Sequence, residues 1–112
     1  MLLDLDSNPL YHYVIARADL PRGVQAAQIV HGAGLSVTAV PLPIGTHAVV
    51  LTVPDEISLL ALSETLSAQG FWHVLVREPD PPYHDAAMAI GLEPQFRTER
   101  LKSVLSALPL LK

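Results

Sequence analysis

Apolar and polar positions along the chain change period several times, and each change marks an element. The stretch "YHYVIARADL", from residue 11, opens with Tyr11, Tyr13, Val14 and Ile15. These are strand formers in a run short enough to be one strand. A helix is predicted next, from about Pro21 to Ser36, with Asp19 as its cap and Pro21 in its first turn, where a missing N–H costs nothing. Helical spacing puts Val24, Gln28, His31 and Leu35 on one face and leaves Ala26, Ile29, Val30 and Ala33 on the remaining surface. A helix apolar nearly all round is expected to be buried on more than one side.

The breaker "PLPIG", residues 41–45, separates this helix from "THAVVLTV", a valine-rich buried strand. In "PDEISLLALSETLSAQG", Asp55 and Glu56 sit at the positive end of a predicted amphipathic helix. Leu59, Leu60, Leu62 and Leu66 give that helix an apolar surface, and Gly70 stops it. "FWHVLV" is a third strand, and Phe71 and Trp72 at its start are expected to cover the end of the core or a dimer face. The prolines of "REPDPPYHD" exclude regular structure. "AAMAIGL" reads as a fourth strand and "PQFRTERLKSVLSAL" as a last helix. The predicted order is β-α-β-α-β-β-α. Its expected architecture is one α/β domain spanning the chain, a three-layer α/β/α fold with a four-stranded mixed sheet. The loop between the last two strands makes one antiparallel pair.

Composition narrows the chemistry. The chain has 112 residues, half of them hydrophobic, with a net charge of −4, which argues for a folded domain and against the basic excess of a typical nucleic-acid binder. A local basic patch is still compatible with an acidic total. No apolar run reaches the roughly 18 residues of a membrane span. The opening "MLLDLDSNPLY" carries acids where a secretory signal carries basic residues, so a cytoplasmic protein is expected. Without cysteine, disulfides, zinc–thiolate sites and thiol catalysis are excluded. His12, His47, His73 and His84 lack the H-x-x-x-H ligand spacing, so no metal site is expected; a cofactor is not expected either.

The segment "AAQIVHGAG", residues 26–34, sets Gln28 and His31 among small residues that let another surface come close. A strand ending in "R-x-D-L", then a glycine, then "AAQ-x-x-H" on a helix resembles the type 2 peptidyl-tRNA hydrolases. The run "GFWHVLVRE", the "AIG" strand and the terminal "LPLLK" are similar to the second half of that family. The likeness runs from about Tyr11 to Lys112, and "LSETLSAQGFWHVLVREP" looks closer still to the peptidyl-tRNA hydrolase domain-containing subgroup. The resemblance implies metal-independent hydrolysis of the ester joining a peptide to the 3′ ribose of tRNA, by a homodimer. Gln28 and His31 match the family pattern as they stand. The family lysine before "AAQ" is replaced by Val24, with Arg22 the nearest basic group, and the family aspartate at the end of the third strand is Glu78. The family threonines are replaced by the loop "PDPPYH" and by Ala86.

Ester hydrolysis needs a base beside a water and donors facing the developing oxyanion. The candidate catalytic set is Glu78 as base or water-orienting group, with Gln28, His31 and Arg22. Arg17, Arg22 and Arg77, at strand-to-helix or strand-to-loop junctions, are the candidate substrate-binding residues for the tRNA acceptor end. Each group has a plainer role open to it. His31 serves as a core or interface histidine, Gln28 as a tie between helix and loop, and Glu78 as half of a surface pair with Arg77. The rival function is a catalytically degenerate member acting as a binding or dimerisation module. A third is a small-molecule-binding domain, which requires an apolar pocket. An enzyme is expected to gather Arg17, Arg22, Arg77 and Glu78 around an open cleft with Gln28; a module is expected to disperse them.

Overall fold

In the computed structural model, residues 8–38 and 42–112 are described, and they form three helices and one mixed, open sheet of five strands. β1 (Leu10–Arg17) leads into α1 (Arg22–Ser36), β2 (His47–Val53), α2 (Glu56–Ala68), β3 (His73–Glu78), β4 (Ala86–Leu92), β5 (Gln95–Phe96) and α3 (Glu99–Leu105). The residues of the acidic opening before Asn8, and Pro41 of the predicted breaker, lie outside those described.

β1 and β2 pair in parallel, Tyr11 to His47 through Arg17 to Val53, as expected for strands joined by a crossover helix. The strand order is β2-β1-β4-β3, so β4 enters between β1 and β3 and runs antiparallel to both. The expected β3–β4 pair is present, but it is not the only antiparallel one. The two-residue β5 also pairs with the start of β1, where a continuous helix from Pro94 was predicted; that helix begins only at Glu99. Thr98 explains the later start, since its hydroxyl accepts from the Leu101 amide at 3.2 Å and caps α3 there. The C-terminal tail then covers the open edge of β2, with Thr52 N–H donating to Pro109 O and Leu111 N–H to Val50 O.

α2 is built from local signals. Asp55 accepts the Ser58 amide at 2.9 Å, which holds its carboxyl below the ordinary value. At the other end Gly70, at φ +80°, allows the Phe71 and Gly70 amides to close onto Leu66 O and Ser67 O.

Alternation along β1 sends His12, Val14 and Ala16 to one side of the sheet and Tyr11, Tyr13, Ile15 and Arg17 to the other. α1 lies on the first side. Its Gly32 faces Val14 and Gly91, and its Ser36 bonds His12. The main core lies on the second side, where Ile15, Leu51 and Ile90 meet Leu59 and Leu66 of α2 and Leu101 of α3. The β3–β4 register jumps from Val76–Ala89 to Arg77–Ala87, so Met88 has no partner. This bulge turns Ala87 into the main core.

α1 inverts the usual arrangement. It buries Gln25, Gln28, Gly32 and Ser36 and exposes Ala26, Ala27, Val30, His31 and Leu35. The expectation of burial on more than one side fails for this chain by itself: Val30 is 70% and Leu35 58% exposed. Two of the sheet-facing polar side chains, Gln25 and Ser36, are bonded to backbone. Gln25 Nε2 donates to Arg17 O at 2.8 Å, and Ser36 Oγ donates to Gly32 O at 2.6 Å. The serine proton being so used, His12 Nε2–H donates to Ser36 Oγ at 2.7 Å. Burial lowers the His12 pKa from 6.5, so the folded state favours the neutral ring. Its contribution to stability is complete above about 6.5 and is lost as pH falls below that value, where the unfolded chain takes up the proton first. Urea midpoints measured on either side of that pH are expected to fall on acidification, and to fall less in His12→Asn.

Candidate functional site

The carboxyl ends of β1 and β3 and the amino ends of α1, α2 and β4 meet at one end of the sheet. Arg17 occupies the middle of this end. Its guanidinium is held by both oxygens of Asp19, at 2.9 and 3.0 Å, and Nη1 also donates to Ala87 O at 2.9 Å. Bonding to Asp19, against partial burial, raises the Arg17 pKa. Asp19 was expected to cap α1; it neutralises Arg17 instead, and α1 begins at Arg22, after Pro21 at the cap position, with no side-chain cap.

Ala87 ties the neighbourhood together. Its N–H donates to Glu56 Oε2 at 2.6 Å, and its backbone pairs with Arg77. Arg77 Nη1 in turn donates to Asp85 O at 3.0 Å. Arg77 therefore stands on the α2 side of the sheet with Arg17, among groups that already use both guanidiniums. Glu78, one residue on, falls on the α1 side with Val76 and Ala89. Its side chain is partly exposed and has no hydrogen-bonding partner among the described residues. The single cationic rim expected of Arg17, Arg22, Arg77 and Glu78 is thus divided by the sheet.

Gln28 is buried on the α1 side, and its Oε1 is an enclosed polar atom without a partner. Such an atom leaves an amide dipole available to an incoming donor. His31, expected beside it, sits on the exposed surface of α1. The helix turns that imidazole away because Gly32, not His31, is the residue pressed against β4.

The open cation lies elsewhere. Arg22 lines a cleft of about 430 Å³ with Gln25, Thr52, Leu111 and Lys112. Among the described residues it makes no ion pair. The first turn of α1 has no acidic residue, and its free N–H groups open at the same place. Arg22 and Lys112 also line an adjoining cleft of about 310 Å³ along α1. Sequence reasoning missed Lys112 and Gln25. Lys112 arrives only through the pairing of the tail with β2, which has no local signature, whereas Gln25 could have been found at the i−3 position from Gln28.

One further polar pair was not anticipated. Ser63 Oγ lies 2.7 Å from His73 Nε2, and His73 Nδ1 is 3.0 Å from Phe71 O. The ring donates to the carbonyl through Nδ1 and accepts the serine proton at Nε2. This is a nucleophile–base pattern, but neither residue lines any of the three clefts, and the pair ties β3 to α2. Of the two aromatics nearby, Phe71 is buried under the Arg100 guanidinium, while Trp72 is half exposed.

Among the described residues no three acidic or imidazole side chains come together as a metal site, and no helix is long and apolar enough to cross a membrane. No family model and no curated protein matches this chain.

Proposed function

We propose that this chain is a type 2 peptidyl-tRNA hydrolase-like domain, with the three-layer α/β/α arrangement of that family, acting in the cytoplasm on the ester between a peptide and the 3′ end of tRNA. The observation that carries the reading is the uncapped, acid-free start of α1, opening on a cleft with Arg22 and Lys112. Helix N–H groups and two cations favour a phosphate there. Gln28 and Glu78 belong to the same side of the sheet as α1, with Glu78 on β3, separated by β1 and β4 from the β2 edge that lines the cleft.

In this reading Glu78 takes a proton from water as the water oxygen attacks the ester carbonyl. The tetrahedral oxyanion collapses, the carbonyl–ribose oxygen bond breaks, and protonated Glu78 returns the proton to the leaving 3′ oxygen. Arg22 stays charged throughout, so it holds phosphate and transfers no proton. The side-chain oxygen of Gln28, the atom without a partner, accepts from a donor group of the substrate. Arg17 and Arg77 are left out of substrate binding, because Asp19 and Ala87 O hold the first and Asp85 O, in the loop before β4, bonds the second. No step draws on a metal or cofactor. Incubating the purified chain with peptidyl-tRNA should release free tRNA, at a rate that falls as salt is raised. No release above background by folded protein would end the reading.

The rival, a non-catalytic module, is favoured by two observations: two of the three candidate arginines are occupied, and the sheet divides Arg17 and Arg77 from Glu78. Both readings assign the outward face of α1 to a second copy of the chain. Ala26, Ala27, Val30 and Leu35 on that face carry no charge, so it can meet its own twofold copy without repulsion, and its small residues let helices approach closely. Val30→Glu should convert a dimer into a folded monomer by light scattering; an unchanged mass, or a wild-type monomer at micromolar concentration, refutes the assignment.

A further inference from the structure

Another cleft lies on the other side of the sheet. It has a volume of about 490 Å³ and runs over β1 and β2 beside α3 and the C-terminal tail. The size falls in the range of small-molecule sites. Val49, Leu51 and Leu108 give it an aliphatic floor, and Tyr11 forms an aromatic wall. That wall is rigid: the Tyr11 ring stacks on His47 at 4.9 Å between centroids and on Tyr13 at 5.9 Å. The cleft also carries two cations, Arg97 and Lys102, and no acidic residue.

Its charge is at odds with the rest of the molecule. The chain has a net charge of −4, yet this cleft presents only positive side chains. Arg97 lies over the Tyr11 ring at 5.2 Å and has no carboxylate partner among the described residues. Lys102 pairs with Glu99 at 3.3 Å, but that glutamate is 92% exposed, and such a surface pair is weak and easily exchanged. Cations beside an apolar, low-dielectric wall concentrate field lines and attract an anion whose remainder is apolar. A neutral ligand leaves the cations unused, and a polyanion finds too few of them.

We infer that this cleft binds a small carboxylate with an aliphatic body, the head between Arg97 and Lys102 and the chain along Val49, Leu51 and Leu108. The site is independent of the hydrolase reading, since it lies on the opposite face of the sheet from α1. The test is a titration of the full chain with decanoate below its micellar range, followed by amide nitrogen–proton spectra. Saturable shifts are expected at Tyr11, Val49, Leu51, Lys102 and Leu108, with no response to decylammonium. Exchanging both cations, Arg97→Ala with Lys102→Ala, removes exposed or half-exposed side chains and should leave the circular dichroism unchanged while weakening decanoate by about tenfold or more. Absence of saturable shifts, shifts scattered outside the cleft, an equal response to decylammonium, or full affinity in the folded double variant would each overturn the inference.

Discussion

Gly91→Ala is expected to destabilise the fold by about 3 kcal/mol or more, at the upper end of what overpacking a tight interior costs. A methyl group on Gly91 of β4 meets the Gly32 carbonyl of α1 far inside van der Waals contact and comes within 2.8 Å of Ser36 Oγ. The obstacle is backbone rather than a movable side-chain tip, so α1 must lift from the sheet. Lifting also strains the Ser36–His12 hydrogen bond, which leaves a buried imidazole donor unsatisfied. Gly23→Ala provides the contrast, since nothing lies within 4 Å of the added carbon. It should leave stability unchanged or raise it by up to about 1 kcal/mol, by helix propensity. Urea unfolding of the two variants beside the parent checks both. Parent-like stability in Gly91→Ala would show that α1 does not sit on β4 as described.

That same contact explains what could and could not be read from the chain. α2 was legible because its signals are local: Asp55 before the first turn, Gly70 after the last, and leucines between them. The parallel β1–β2 pair followed from the strand–helix–strand order. α1 was placed correctly along the sequence but turned the wrong way. Hydrophobicity pointed Val30 and Leu35 inward, whereas two glycines on different elements set the orientation, and hydrogen bonds from Gln25 and Ser36 make the polar face the buried one. A periodic pattern cannot tell an apolar face meant for the chain's own core from one left outside it. Asp19 shows a second limit. Its position suits a helix cap, but a guanidinium two residues earlier competes for the carboxylate and wins it with two charge-assisted bonds. The division of Arg17 and Arg77 from Glu78 depends on strand alternation, so a sequence neighbour, Arg77, faces away from the carboxylate it seemed to accompany.

Removing the base has the largest expected effect on activity. Glu78→Gln keeps the shape of the side chain and abolishes proton acceptance, and kcat on peptidyl-tRNA should fall by about 100-fold or more with little change in KM. Exchanging Arg22 and Lys112 for alanine should act the other way, raising KM and flattening its salt dependence while sparing kcat, because phosphate contacts hold the substrate without taking part in proton transfer. The two variants therefore separate chemistry from binding at one end of the sheet.

The most direct measurement is single-turnover release of tRNA from peptidyl-tRNA by the parent chain and by Glu78→Gln, each with its folding verified by circular dichroism. Rapid release by the parent and release near the uncatalysed rate by the variant are the expected results. Equal rates in the two folded proteins, whether both fast or both at background, would contradict a role for Glu78 as the base of a hydrolase.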